Sequence, residues 1–158
     1  MRRELAQLGN GAHALAIQIL GNADDAADAV QNAFTRVLTN PAAYQPGKGP
    51  LKPWFLHIVR NCSIDLIRRR RPGTVGVDEL PDTGTGPERS MEISQRDRAL
   101  HLALTKLSPE HREILVLRDY VDLSYAEIAS VLGIAHGTVM SRLHRARLAL
   151  KEELMGYG

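Results

Sequence analysis

Cysteine is almost absent from this sequence of 158 residues. The single one, Cys62, cannot form a disulfide within the chain, and no Cys-x-x-Cys pair is present. The six histidines do not have the spacing of zinc ligands. We therefore expect no metal site and no cofactor. Cys62 lies among apolar residues at helical spacing, which predicts a buried and unreactive thiol.

Aromatic residues and long apolar runs are also scarce. Aromatic residues make up only 4% of the chain, so Leu, Ile, Val and Ala must form the core, which favours helices packed on helices. No apolar run approaches the roughly 20 residues that cross a bilayer, and the polar N-terminus has no signal-peptide core. We expect an all-α, cytoplasmic protein without membrane insertion. No phosphate loop or nucleophile constellation is present, which argues against an enzyme.

Charge is distributed unevenly along the chain. Residues 1–71 contain ten basic and five acidic residues, whereas residues 72–91 contain one basic and four acidic residues. Between residues 129 and 151 there is no acidic residue, but there are three arginines. Two basic surfaces separated by an acidic connector indicate a polyanion that is contacted at two places.

The connector divides the chain. Residues 71–90 contain three prolines and four glycines and have no helical or alternating pattern, as is typical of a linker. We therefore predict two small helical domains, 1–71 and 92–158, joined by a flexible linker over 72–91. Each domain is close to the lower size limit for independent folding.

The first domain has three predicted helices. The first covers residues 4–20 and ends at Gly21-Asn22, and the second runs from Ala23 to Asn40-Pro41. A turn-rich loop over 44–50 precedes a third helix from Pro53 to about Arg70. Helical spacing assigns the buried face of the second helix to Ala27, Val30, Phe34, Val37 and Leu38.

The second domain has four predicted helices. One covers residues 92–106, and the next begins at Ser108-Pro109, a favourable helix start. A third begins at Ser124, which has capping-box spacing to Glu127, and it ends at Gly133. The last helix covers residues 137–154.

Residues 124–150 have the pattern of a helix-turn-helix. Ile128, Leu132, Val139, Leu143, Ala146 and Leu150 are the predicted inward side chains. The opposite face carries Thr138, Ser141, Arg142, His144, Arg145 and Arg147. Because a helix fits the major groove and Arg can reach guanine edges, this face predicts DNA binding. The alternative interpretation is a helical hairpin with a solvated basic face.

A second basic stretch ends the first domain. Arg60, Asn61 and Asp65 have spacing that places them on one groove-facing surface, whereas the arginines at 68–71 are partly a helix end that meets the linker. Trp54 could stack on an unpaired base, and it could equally anchor its helix in the core.

Two sets of motifs resemble a known family. Residues 21–34, the segment Trp54-Phe-Leu-His-Ile-Val-Arg-Asn61 and Asp65 resemble region 2 of the extracytoplasmic-function (ECF) sigma factors of the sigma-70 family. Residues 109–150, with Leu123-Ser-Tyr-Ala-Glu-Ile-Ala129 and Gly137-Thr-Val-Met-Ser-Arg-Leu-His-Arg-Ala-Arg147, resemble region 4. The resemblance covers nearly the whole chain apart from the linker.

The resemblance implies an alternative sigma factor that directs promoter-specific transcription initiation. Core RNA polymerase would be bound through its β′ clamp helices by Asp24, Asp25, Asp28, Gln31, Asn32 and Arg36. The −10 element would be read and opened by Lys48, Trp54, Arg60, Asn61, Asp65 and Arg68. The −35 element would be read by Ser124, Tyr125, His136, Thr138, Ser141, Arg142 and Arg145. Region 4 would also contact the β flap, and an anti-sigma factor is an expected partner.

Two other functions fit parts of the sequence. One is a helix-turn-helix regulator that acts without docking on polymerase, and the acid-rich second helix argues against it. The other is a sigma-like decoy that binds an anti-sigma protein and no DNA, and the basic face of the last helix argues against it.

Overall fold

A computed structural model describes residues 2–70 and 94–156, and all regular structure within these ranges is helical. The helices are α1 Arg2–Gln7, α2 Gly9–Leu20, α3 Ala23–Thr39, α4 Leu51–Arg70, α5 Gln95–Thr105, α6 Pro109–Leu115, α7 Tyr125–Leu132 and α8 His136–Met155. The all-α prediction is confirmed. The predicted linker over 72–91 lies outside the described residues. None of the described helices is long and apolar enough to span a membrane.

The helix ends follow the local sequence signals. Gly21 adopts a left-handed conformation (φ 86°) after α2, and the Asn22 side chain accepts a hydrogen bond from the Asp25 amide at 2.8 Å. Ser124 and Glu127 form the predicted capping box, in which each side chain accepts a hydrogen bond from the other residue's amide, at 3.1 and 2.8 Å. These bonds satisfy amides that have no partner within the helix.

Two predictions for the first domain are wrong in detail. The helix expected over 4–20 is divided at Leu8 into α1 and α2. On α3, Ala27 is exposed and Leu38 is 42% exposed, because the buried face is turned toward three alanines. Ala26, Ala29, Val30, Ala33 and Val37 form that face. Small side chains let α2 and α4 approach α3 closely. The alanine face of α3 is therefore buried, and the larger Leu38 is left partly exposed.

The connection between α6 and α7 was not predicted from the sequence. A π-helical turn, Val116–Tyr120, continues α6, and the Val121 amide donates to the Val116 carbonyl at 2.9 Å. Asp122 then takes a positive φ of 67°, which is uncommon for a residue other than glycine. The chain therefore turns sharply before Ser124 begins α7.

The two groups of helices, α1–α4 and α5–α8, pack against each other. Helix α2 contacts α6, and α4 contacts α7. Phe55 and Leu56 of α4 belong to the same continuous apolar core as Ile114 and Ile128. The prediction of two modules on a tether did not include this contact, which covers part of α4.

Candidate nucleic-acid interface

The helix-turn-helix has the predicted packing. Ile128, Val139 and Leu143 are buried, and Gly133 makes the turn in a left-handed conformation (φ 69°, ψ 38°). The amides of Gly133 and Ile134 both donate to the Ala129 carbonyl, at 2.8 and 3.1 Å. Helix α8 is thereby held against α6 and α7 by one face, and its other face is turned outward.

The outward face of α8 is polar and basic. Ser141 and Arg145 are exposed, while Thr138 and Arg142 are partly exposed. Arg147 differs from the other arginines of this helix because it forms an ion pair with Asp119 at 2.8 Å. This helical face offers guanidinium and hydroxyl groups, the donors that contact base edges and phosphates.

The start of the helix-turn-helix is held by ring contacts. The Tyr125 ring lies 5.9 Å from the His136 ring, and the Arg118 guanidinium lies 5.0 Å from the Tyr125 ring centroid. Arg118 also donates to the Leu123 carbonyl at 2.7 Å. Together with the capping bonds of Ser124, these contacts fix the side chains that flank the N-terminus of α8.

Helix α4 carries the second predicted DNA surface, and part of it is engaged. The Arg60 guanidinium donates through Nε to Oε1 of Glu113 at 2.9 Å and through an Nη atom to Oε2 at 3.2 Å. Glu113, on α6, is only 4% exposed. Arg60 therefore faces the second helical group and does not lie on the groove-facing surface predicted from its spacing to Asn61 and Asp65.

His57 and Asn61 form a short chain of hydrogen bonds toward α7. The His57 Nδ1 atom lies 2.8 Å from the Val131 carbonyl, and His57 Nε2 lies 3.2 Å from the Asn61 side-chain nitrogen. Because a carbonyl oxygen only accepts, Nδ1 must carry the proton, and Nε2 then accepts from the Asn61 amide. Asn61 itself is exposed.

The side chains of Arg60, Asn61 and Asp65 diverge, so they do not form one free surface as expected. Asp65 is directed to α3, where it lies 3.7 Å from the Arg36 guanidinium. Arg68 is exposed near the end of α4. Arg36, which was assigned to polymerase binding, and Asp65, which was assigned to the −10 element, are thus neighbours.

A cleft of about 620 Å³ lies between the loop before α4 and helix α7. Trp54 and Tyr44 line it with ring centroids 4.9 Å apart, and the Tyr44 hydroxyl donates to the Gly49 carbonyl at 2.9 Å. Lys48 also lines the cleft and is exposed. Trp54 packs against the core with part of its surface, so it both anchors α4 and offers a ring to the cleft.

The residues assigned to polymerase binding lie on α3. Asp24, Asp28, Gln31 and Asn32 are exposed. Asp25 is engaged, because it forms an ion pair with Arg70 and accepts a hydrogen bond from the Asn22 side chain at 2.8 Å. The exposed members leave a polar surface available for a partner.

No metal-binding group of three or more His, Cys, Asp or Glu side chains occurs within residues 2–70 and 94–156. Cys62 is buried on α4, and this burial raises the pKa of its thiol; the charges of Arg36, Asp65 and Arg69 act in opposing directions. A raised pKa disfavours the nucleophilic thiolate.

Besides His57, three polar residues that join the two helical groups were not predicted from the sequence. The Lys52 ammonium donates to the Val121 carbonyl at 3.0 Å, and the Arg112 guanidinium donates to the Gln18 carbonyl at 2.9 and 3.2 Å. Burial lowers the pKa of Arg112. The third residue is Glu113. The sequence does contain a sign of its role, because this charged residue occupies a position on the buried, otherwise apolar face of α6.

Two family models match the chain. The Sigma-70 region 2 model matches residues 5–72, and the Sigma-70, region 4 model matches residues 97–150. The matches lie on the two helical groups and leave the segment between them unmatched.

Curated relatives give the same result. The chain is 37% identical over 147 residues to the ECF RNA polymerase sigma factor SigE of Mycolicibacterium smegmatis, covering 89% of this chain and 56% of that protein. It is 38% identical over 147 residues to the ECF RNA polymerase sigma factor SigL of Mycobacterium tuberculosis, and the match covers 90% of this chain and 82% of that protein. Among solved structures, the chain superposes with a TM-score of 0.77 and 27% identity on the sigma factor RpoE from Bartonella quintana, which was solved in complex with the anti-sigma factor NepR. The superposition covers 98% of this chain and 96% of that one.

Proposed function

Because the chain belongs to the ECF sigma factors of the sigma-70 family, we propose that it binds core RNA polymerase and directs promoter-specific transcription initiation. The observation that carries this proposal is the outward, basic face of α8 on a closely packed helix-turn-helix. The polymerase would form the phosphodiester bonds, and this chain would supply recognition and no catalysis. Its place of action would be the cytoplasm.

Helix α8 would read the −35 element in the major groove. Arg142 and Arg145 are the side chains suited to guanine edges, and the hydroxyls of Thr138 and Ser141 suit phosphates. Ser124, Tyr125 and His136 flank the N-terminus of α8 and would contact the neighbouring backbone. The two arginines carry the sequence preference in this proposal.

Helix α4 and the loop before it would read and open the −10 element. Lys48 and Arg68 are exposed cations for the backbone, and Trp54 offers a ring on which an unpaired base can stack. Arg60, Asn61 and Asp65 would join them once Arg60 is released from Glu113.

Polymerase docking would use the exposed face of α3. Its acidic and amide side chains suit the β′ clamp helices, and the second helical group would also contact the β flap. The predicted division into domains 1–71 and 92–158 stays part of this proposal. An anti-sigma factor is a proposed partner, supported by the similar RpoE structure, which was solved with NepR.

Run-off transcription with purified core polymerase tests the proposal. We expect promoter-specific transcripts only when the chain is added. Arg145→Ala should lower the yield from a promoter with an intact −35 element about 5- to 160-fold, because one base-reading arginine contributes about 1–3 kcal/mol. Lys151→Ala is the matched control, since Lys151 is an exposed cation on the same helix that is not among the residues assigned to the −35 element, and it should lose much less.

A pull-down with core polymerase separates the alternatives. If the chain does not associate with the core enzyme but still binds DNA, it is a helix-turn-helix regulator. If it associates with neither the core enzyme nor DNA, the decoy function takes the place of our proposal.

A further inference from the structure

Among the contacts of residues 2–70 with residues 94–156, four polar ones join the first helical group to the second, and we call these four the closed contact. It consists of Lys52 to the Val121 carbonyl, His57 to the Val131 carbonyl, Arg112 to the Gln18 carbonyl, and Arg60 to Glu113. Three of the four place a side chain of α4 on the second helical group. Of the residues assigned to the −10 element, Arg60 is held by the closed contact and Trp54 faces α7 across the cleft, whereas Lys48, Asn61 and Arg68 stay exposed.

The Arg60–Glu113 pair is the centre of the closed contact. Both oxygens of the Glu113 carboxylate accept from the Arg60 guanidinium, and the two side chains are 5% and 22% exposed. A guanidinium binds a phosphate with the same two-pronged geometry. Glu113 therefore occupies the donors that Arg60 would offer to a nucleic-acid backbone.

An apolar contact accompanies the polar ones. Gly11 on α2 faces Val121, and a Cβ at residue 11 would lie 3.4 Å from one Val121 methyl group. A larger side chain at this position would press against the second helical group. By contrast, a Cβ at Gly9 on the same helix would have nothing within 4 Å.

We propose that the closed contact is an autoinhibitory latch, in which Glu113 holds Arg60 and α7 stands opposite Trp54, so that the free chain withholds these two residues from the −10 strand. This inference rests on the proposed function of α4 in promoter binding. The outward face of α8 stays uncovered, so the latch restricts one of the two DNA surfaces.

The latch can open because water or a phosphate can replace Glu113 as the partner of Arg60. Removing two charges from water offsets much of their attraction, so the buried pair is only a little more stable than the two separated, hydrated groups, whereas removing one partner leaves the other charge buried and unpaired. Once α4 is separated from the second helical group, water or a phosphate can replace Glu113 at Arg60. A ligand that binds only the open form then shifts the population toward it.

Two independent substitutions should open the full-length chain. Glu113→Gln removes the charge that holds Arg60, and its control is Glu110→Gln, an exposed glutamate on the same helix. Gly11→Gln adds bulk against Val121, and its control is Gly9→Gln. Glutamine is a good helix former, so neither glycine substitution should unfold α2.

Small-angle X-ray scattering measures opening in the absence of polymerase. A compact chain of 158 residues should have a radius of gyration of about 15 Å. We expect this value for the wild-type chain and both controls, and more than about 20 Å for the two opened variants, because two bodies of half the size would separate. Circular dichroism confirms that each variant keeps its helices.

Fluorescence anisotropy with a single-stranded −10 oligonucleotide measures exposure of α4. Apparent affinity scales with the competent fraction, so the opened variants should bind on the order of tenfold more tightly than the wild-type chain, and the controls should not. In run-off assays with core polymerase, the opened variants should reach half-maximal transcription at lower concentration, with an unchanged maximum.

Two results would overturn the latch. One is an expanded wild-type chain, and the other is a pair of opened variants that keep the wild-type radius and oligonucleotide affinity. A third result separates the latch from the proposed function: scattering and anisotropy change as expected, but the wild-type chain and core polymerase produce no transcript. In that case the latch would still control binding of single-stranded DNA, and the proposed sigma function would be wrong.

Discussion

The turn of the helix-turn-helix offers a sharp test of its backbone geometry. Gly133 has φ 69° and ψ 38°, and a Cβ built there would have no atom within 4 Å. The cost of Gly133→Ala is therefore purely conformational. A left-handed residue other than glycine costs about 1–2 kcal/mol, and the stiffer unfolded chain returns part of that. We expect a net loss of about 1 kcal/mol in the free energy of unfolding.

The same substitution four residues later should have the opposite sign. Gly137 is the second residue of α8, and its Cβ would also have nothing within 4 Å. Alanine is favoured over glycine by about 0.5–1 kcal/mol in the middle of a helix, so Gly137→Ala in the first turn should stabilise the chain by up to that amount. The two variants add an identical methyl group, and only the backbone conformation separates them.

Urea and thermal unfolding followed by circular dichroism measure both effects. In a chain of 158 residues, 1 kcal/mol shifts Tm by about 2–4 °C, so the two variants should differ by roughly 3–8 °C. Gly133→Asn should fall between wild type and Gly133→Ala, because asparagine tolerates the left-handed region. Equal midpoints for Gly133→Ala and Gly137→Ala would refute this reading of the turn.

Two further predictions concern the capping box and the buried thiol. Ser124→Ala removes the acceptor for the Glu127 amide and should cost about 1 kcal/mol in the unfolding free energy, while Ser130→Ala on the exposed side of α7 should change it by less than about 0.5 kcal/mol. Burial raises the pKa of Cys62, so the thiol of the unfolded chain ionises at a lower pH than that of the folded chain, and the free energy of unfolding should fall as the pH rises above about 8.5. Cys62→Ala should remove that part of the pH dependence. Thiol reagents should label Cys62 in the native chain only as fast as the chain unfolds.

The local parts of this fold could be read from the sequence. Gly21 and Gly133 mark helix ends, and Ser124 with Glu127 marks a helix start, because each signal acts on amides within one turn. The inward face of α8 was predicted for a similar reason, since Val139 and Leu143 recur at helical spacing. Such signals need no knowledge of the partner helix.

The tertiary choices could not be read in this way. On α3, Leu38 is larger and more apolar than Ala33, yet Ala33 is buried, because close approach of α2 and α4 decided the face. The contacts of Arg60 with Glu113 and of Lys52 with Val121 join residues more than fifty positions apart. Nothing in the local pattern of either segment identifies its distant partner.

The packing of the second helical group determines what can move when the latch opens. Helix α8 packs on α6 and α7, whereas α7 meets α4 and α6 meets α2. Separating the two groups would break the contacts of α4 and α2 and leave the packing of Val139 and Leu143 intact. The unit that moves is therefore the whole second group with its helix-turn-helix preformed. It follows that opening should change how tightly α4 binds a single strand without changing which −35 sequence α8 prefers.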